Sequence, residues 1–197
     1  MILATDFKCF VKILFSVCLL FFQRASIFAQ NQKVADSLVK IYQKNKLENS
    51  EKLELLRNLS FNEVNNLELS LKYADELIAL SKLEKNYLYL HRGYYQKGNK
   101  NRLIGDLNKA LNDFFKSAEA ASKAKFITGK GVAYMSIADV YSIMGNANNA
   151  EVYYTKSIDL LRKTKDSIAL ASALLNAGDE YSKNKKFNLA LKHFEEA

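Results

Sequence analysis

The stretch Ile137–Ile158, IADVYSIMGNANNAEVYYTKSI, decides the fold. It sets small residues (Ala138, Gly145, Ala150, Ser157) and large rings (Tyr141, Tyr154) at fixed intervals, with no acid, base or metal ligand in those slots. Moved by forty residues, the slots recur over four units without a gap. Small residues stand at Ser70, Ala110, Ala150 and Ala190, and four residues later come Ala74, Phe114, Tyr154 and Phe194. Three further on lie Leu77, Ser117, Ser157 and Ala197. Before the small residue come Asn65, Gly105, Gly145 and Lys185, then Phe61, Asn101, Tyr141 and Tyr181, then Asn58, Gly98, Ala138 and Gly178.

Each slot has a physical reading. A small residue at Gly98, Ala138 or Gly178 lets a neighbouring helix approach closely. Tyr141 and Tyr181, three positions later on the same helical face, are expected to fill the space beside it. Gly105 and Gly145 fall where a helix ends, because glycine takes the left-handed conformation of a C-terminal cap at little cost. A second helix follows, with Ala110, Ala150 and Ala190 facing back into the first, and Phe114, Tyr154 and Phe194 one turn later on that face. Each unit is therefore two antiparallel helices. One such hairpin buries too little apolar surface to stand alone, and stacked neighbours share a continuous core.

The order small, ring, glycine, alanine, ring, small resembles the tetratricopeptide repeat. The resemblance covers about residues 51–197 and implies an all-α superhelical solenoid of antiparallel helix pairs, in four units at about 51–90, 91–130, 131–170 and 171–197. The period of forty exceeds the usual length of about 34, so the helices should be longer by about a turn. The closing proline is absent throughout, and Asn101 and Ala74 stand where other units carry rings. Upstream, VADSLVKIYQK places Val34, Leu38, Ile41 and Tyr42 on one face and predicts a helix within 30–50 that caps the array. Asp166-Ser167 and Asn62 read as helix starts.

Composition agrees. The 197 residues include no proline and seven glycines, which favours long helices over tight turns. The net charge of +8 is spread along the chain; its densest run is Lys183, Lys185 and Lys186, and no nucleic-acid motif accompanies it. These lysines read as solvated helix faces, and no nucleic-acid partner is expected. Residues 1–29 differ from the rest: Lys8 and Lys12 mark the start of the apolar run CFVKILFSVCLLFF, and SIFA ends in Ala29 before a polar stretch. That is the pattern of a secretory signal peptide. Cys9 and Cys18 both lie inside it, so the mature chain carries no cysteine and the location is expected to be the extracytoplasmic side of a bacterial membrane. The last helix is still running at Ala197, which reads as an N-terminal piece of a longer protein.

No catalytic, cofactor-binding or metal-binding set emerges. The two histidines, His91 and His193, lie in different units and read as surface or groove residues. In tetratricopeptide repeats the first helices line the concave face. The resemblance therefore puts Arg92, Tyr95, Asn99 and Arg102, then Met135, Asp139 and Ser142, then Leu175, Asp179 and Ser182 in contact with a protein or peptide partner. Asp139 and Asp179 are expected to be ligand contacts whose joint charge reversal leaves the array folded. The stretches IADVYSIMGNANNA and DSIALASALLNAGDEY are similar to the extracytoplasmic repeat region of bacterial membrane-bound adenylate/guanylate cyclases. That similarity implies a sensory or scaffolding region that is not itself an enzyme, with membrane attachment through a segment beyond residue 197. A free-standing periplasmic scaffold, or the sensor region of a histidine kinase or transcription regulator, remains the alternative.

Overall fold

The computed structural model describes residues 32–44 and 46–197; the expected signal peptide, 1–29, lies outside the described residues. All regular structure among the described residues is helical. Helix α1 covers 32–44. It is followed by α2 (Asn49–Asn62), α3 (Leu67–Leu83), α4 (Tyr87–Leu103), α5 (Leu107–Lys123), α6 (Ile127–Ile143), α7 (Ala147–Leu161), α8 (Ser167–Lys183) and α9 (Phe187–Glu196).

From α3 onward a helix starts every 20 residues, so the forty-residue period is two half-periods of one helix and one connection. The connections explain the regularity. At the end of α3 the Asn86 N–H donates to the Ser81 carbonyl (2.8 Å) and the Lys85 N–H to that of Lys82 (3.2 Å), the paired bonds of a Schellman motif. The Asn86 side chain then accepts from the Tyr89 N–H, capping α4. One residue thus closes one helix and opens the next. Asp106 and Asn146 do the same after α4 and α6, closing on the Asn101 and Tyr141 carbonyls and accepting from Lys109 and Asn149. The motif needs a left-handed residue just before the cap. Gly105 (φ 80) and Gly145 (φ 72) supply it as expected, and Lys85, Lys125 and Lys185 adopt it as well at φ 54–60. Asp166 caps α8 by accepting from the Ala169 N–H at 2.9 Å, as anticipated. Asn62 instead ends α2, and Asn66 caps α3.

Helices pair as α2–α3, α4–α5, α6–α7 and α8–α9, beginning at Asn49, Tyr87, Ile127 and Ser167, a few residues ahead of the forty-residue frames. Ala110, Ala150 and Ala190 are buried between partners, and Phe114 and Tyr154 are buried beside them. The ring lying against each small residue of the first helix comes from the partner helix. A Cβ on Gly98 would sit 2.8 Å from Phe114, and one on Gly178 would sit 2.5 Å from Phe194. Tyr141, expected in that role, stacks instead on Tyr153, with centroids 5.7 Å apart. Serines in the next small slot tie the pairs together: the Ser157 hydroxyl donates to the Gly131 carbonyl (2.8 Å), and that of Ser117 to the His91 carbonyl (3.1 Å).

Helix α1 packs on the first pair through Ala35, Leu38, Val39 and Tyr42. The expected face was offset: Val34 and Ile41 are exposed. His91, read as a surface or groove residue, is buried. Its Nδ1 lies 2.8 Å from the Ser117 hydroxyl, and Phe126 packs edge-on to its ring. Its period places it at the helix crossing that Gly131 occupies in the next unit, so the imidazole fills core space.

The backbones of the first helices of successive pairs (α2–α4, α4–α6, α6–α8) come within 8 Å of one another, whereas those of the second helices (α3, α5, α7, α9) stay further apart and meet only through side chains such as Phe115 on Tyr153. The stack therefore curves with the first helix of each pair on the inside. No helix among the described residues is long and apolar enough to cross a membrane.

Candidate functional site

The inner face carries a cleft of about 270 Å³ where α4, α6 and α8 converge. Arg102 from α4, Asp139 and Ser142 from α6, and Asp179 from α8 all line it, so four of the ten expected contact residues meet in one place. Their spacing explains the meeting: Asp139 and Asp179 occupy equivalent positions of successive units, and Arg102 and Ser142 do likewise.

Asp139 forms the floor. Its Oδ1 accepts from the Tyr154 hydroxyl at 2.6 Å and from Asn176 Nδ2 at 3.1 Å. Tyr154 comes from the partner helix α7 and Asn176 from the next unit, so this carboxylate joins three helices. Burial raises the Asp139 carboxyl above the usual range, opposed by the Tyr154 hydrogen bond and the Arg102 charge. The Tyr154 hydroxyl is pushed upward by burial and by the adjacent negative charge of Asp139. Asp139 lines the cleft, and its bonds to Tyr154 and Asn176 make it a strut as well, so reversing its charge is expected to act on folding.

Above this floor the cleft keeps groups to offer. Asp179 is exposed at its mouth. Arg102 has a buried Nε with no hydrogen-bond partner among the described residues, while its Nη2 lies 3.5 Å from Asn99 Oδ1. The Arg102 guanidinium lines the cleft and is a cation that can meet a ligand oxygen there. Lys183 adds a second cation and Ile143 an apolar edge. The cleft can take a polypeptide carbonyl or carboxylate at Arg102 and a donor at Asp179.

The remaining expected contacts are placed otherwise. Ser142 also lines the cleft, but its hydroxyl is committed to the buried Glu180. Arg92 pairs with Glu54 at 3.6 Å and lies over the Tyr89 ring. Glu54, which also accepts from Arg57 and Tyr89, is held below the usual carboxyl range chiefly by the Arg57 hydrogen bond. Tyr95 packs against Phe114 and His91, and Met135 against the core of the last two pairs. Leu175 is exposed on α8, and Ser182 is half-buried outside the cleft. Tyr154, Asn176 and Lys183 were missed. Tyr154 reads from its period as a core ring, and nothing in the spacing reveals that its hydroxyl reaches Asp139.

The architecture is that of a solenoid of stacked helical hairpins with a polar inner cleft, the class of repeat proteins that bind other polypeptides. Residues 131–197 match the tetratricopeptide repeat family. No curated protein matches the chain in sequence. Among solved structures, the apo form of RapI superposes with a TM-score of 0.70 at 19% identity, covering 80% of this chain and 58% of that one. A Rap protein complexed with competence and sporulation factor gives 0.72 at 16% identity, covering 82% and 46%. A signal transduction ATPase with a tetratricopeptide repeat sensor, from Pyrococcus horikoshii, gives 0.66 at 17% identity, covering 79% and 25%. The chain thus spans about half the length of the two Rap structures. At these identities the likeness establishes the fold, a tetratricopeptide-like solenoid.

Proposed function

We propose that this chain is the partner-binding region of a bacterial membrane signalling protein, acting on the extracytoplasmic side and holding a protein or peptide segment in its concave cleft. The observation that carries the binding reading is the Arg102 guanidinium and exposed Asp179 lining one cleft built from three successive units. Such a cleft offers an extended segment both a donor and an acceptor at fixed separation, on a pre-organised surface. The competence and sporulation factor named with one Rap structure and the sensor named in the Pyrococcus protein are consistent with this use of the fold. The signalling assignment rests on the similarity of the last two units to the extracytoplasmic region of nucleotide cyclases. In that reading the chain is not the enzyme; a membrane helix and an effector domain follow residue 197.

Two experiments test these claims separately. Peptides selected from a displayed library on the full chain should lose at least about tenfold in affinity for Arg102→Gln and for Asp179→Lys, the loss of about one charge-assisted hydrogen bond. Equal affinity for both variants would remove the cleft from the function. The coding sequence beyond codon 197 should encode a membrane-spanning helix followed by a cytoplasmic domain, and the exported protein should begin at Gln30. A stop after one polar helix would refute the receptor assignment and leave the binding claim standing.

A further inference from the structure

A second cleft, of about 410 Å³, opens on the convex side, where α3 and α5 stand apart over α4. The repeat shows that it is a departure from the packing pattern. At one slot the four units carry Phe61, Asn101, Tyr141 and Tyr181, and at another Tyr73, Asp113, Tyr153 and His193. In the later units these slots meet as ring pairs: Tyr141 on Tyr153 at 5.7 Å and Tyr181 on His193 at 5.2 Å. Only in the unit of α4 and α5 are both rings missing. There, Asn101 Nδ2 donates to Asp113 Oδ2 at 2.8 Å, and both residues are buried. Two further slots change with them, since Asp75 and Lys97 form an ion pair of 2.6 Å where the next unit has Phe115 and buried Ile137. Replacing stacked rings by an amide–carboxylate pair removes apolar burial and leaves open volume, a change that favours a ligand over folding.

The walls identify the ligand. Tyr94 projects from α4 with the ammonium groups of Lys82 and Lys116 at 5.7 and 5.6 Å from its ring centre. The cleft continues along α5 into a second one of about 230 Å³ that shares Lys82, Tyr94 and Lys116. Lys109, Lys116 and Lys123 recur every seven residues on that wall, which at 1.5 Å per residue spaces them about 10 Å apart. A segment in the extended polyproline II conformation advances about 3.1 Å per residue with three residues per turn, so every third side chain lies on one face about 9 Å apart, close to that spacing. Lys109 and Lys123 hold Asp106 and Glu119 in exposed pairs that an incoming carboxylate can exchange with.

We infer that this convex cleft binds an extended acidic segment of a partner protein, with carboxylates at about every third residue on Lys109, Lys116 and Lys123 and a backbone N–H on Asp113. The site is separate from the concave cleft and does not depend on it.

The test is fluorescence anisotropy with the full chain and a labelled peptide carrying glutamate at every third residue, beside a peptide of the same composition with its glutamates in one block. The spaced peptide should bind more tightly, and Lys82→Met with Lys116→Met should weaken it by at least tenfold while keeping the apolar stems. Because the chain carries +8, the charge-matched control is Lys163→Met with Lys165→Met, two exposed lysines elsewhere, which should leave binding unchanged. A third variant, Asn101→Tyr with Asp113→Tyr, restores the rings of the other units. It should keep the helical signal and lose the peptide. Equal binding of the two peptides, or equal loss in the control pair, would overturn the proposal in favour of unspecific attraction. Binding retained by the ring-restored variant with its helical content intact would overturn it too. Arg102→Gln should leave this binding untouched, so the two clefts fail or stand independently.

Discussion

Substitutions at Asp139 should sort by what the new side chain does for Tyr154. The Asp139 Oδ1 is the acceptor for the Tyr154 hydroxyl at 2.6 Å, and Tyr154 is 3% exposed. Asp139→Ala leaves that buried hydroxyl without its protein partner, which costs about 1–3 kcal/mol. Asn176, the second donor to the same oxygen, is half-buried and can rehydrate, so the estimate stays near about 2 kcal/mol. For a chain of this size that lowers the melting temperature by about 4–8 °C. Asp139→Asn keeps an oxygen for both donors and deletes a charge whose burial is unfavourable, so its stability should equal or exceed that of the wild type. Asp139→Lys loses the acceptor and adds a cation beside Arg102 and Lys183, and should fall below the alanine variant. The sign of the pH dependence follows from the raised carboxyl. Between the ordinary value of 3.8 and its raised value the folded state binds more protons than the unfolded state. The wild type therefore loses stability relative to Asp139→Asn as pH rises through that window, and the gap is constant above it. The assay is thermal unfolding followed by circular dichroism at 222 nm, since the chain has no tryptophan. An alanine variant as stable as the wild type, or an asparagine variant as unstable as alanine, would refute the strut.

Three further outcomes can be measured in the same way. Gly98→Ala adds a Cβ 2.8 Å from two carbons of fully buried Phe114; overpacking of about 1–3 kcal/mol outweighs a helix-propensity gain of about 1 kcal/mol, so it should destabilise. Lys125→Gly relieves a left-handed residue at φ 54 and should stabilise by about 1 kcal/mol, whereas Gly145→Ala at φ 72 should destabilise by a similar amount although no atom stands within 4 Å of the new Cβ. His91 is held below its ordinary value of 6.5 by burial, so the unfolded state gains the proton first on acidification. Stability should drop as pH falls below about 6.5, and His91→Gln should flatten that slope in urea unfolding measured from pH 7.5 to 5.

Much of the fold could be read before any coordinates. Ala110, Ala150 and Ala190 sit where two helices touch, and a contact of that kind restricts size at one position regardless of what lies elsewhere, so it leaves a period. Gly105 and Gly145 were legible for the same reason, because backbone conformation is a local demand. The lysines at 85, 125 and 185 escaped notice since a left-handed lysine costs little enough to be tolerated and carries no signature. The capping face of α1 was misplaced by one position, as Val34 and Ile41 are apolar yet exposed. His91 went to the interior because its crossing had room for a ring, a property of the gap and not of the residue.

The site divides along the same line. Sequence alone determined the helical hairpins, their order and period, because these follow from residue size and chirality repeated along one chain; which helix faces inward was an expectation from the resemblance to tetratricopeptide repeats. It also singled out Asn101 as a missing ring. Tertiary structure alone decided that Asp139 is tied to Tyr154 and Asn176, that Arg102 and Asp179 meet in one cleft, and that Asn101 and Asp113 meet to open a convex cleft. Those are pairings between helices, set by the curvature of the stack and by the reach of each polar side chain, and hydrogen bonds between distant positions impose no periodicity on the sequence that forms them.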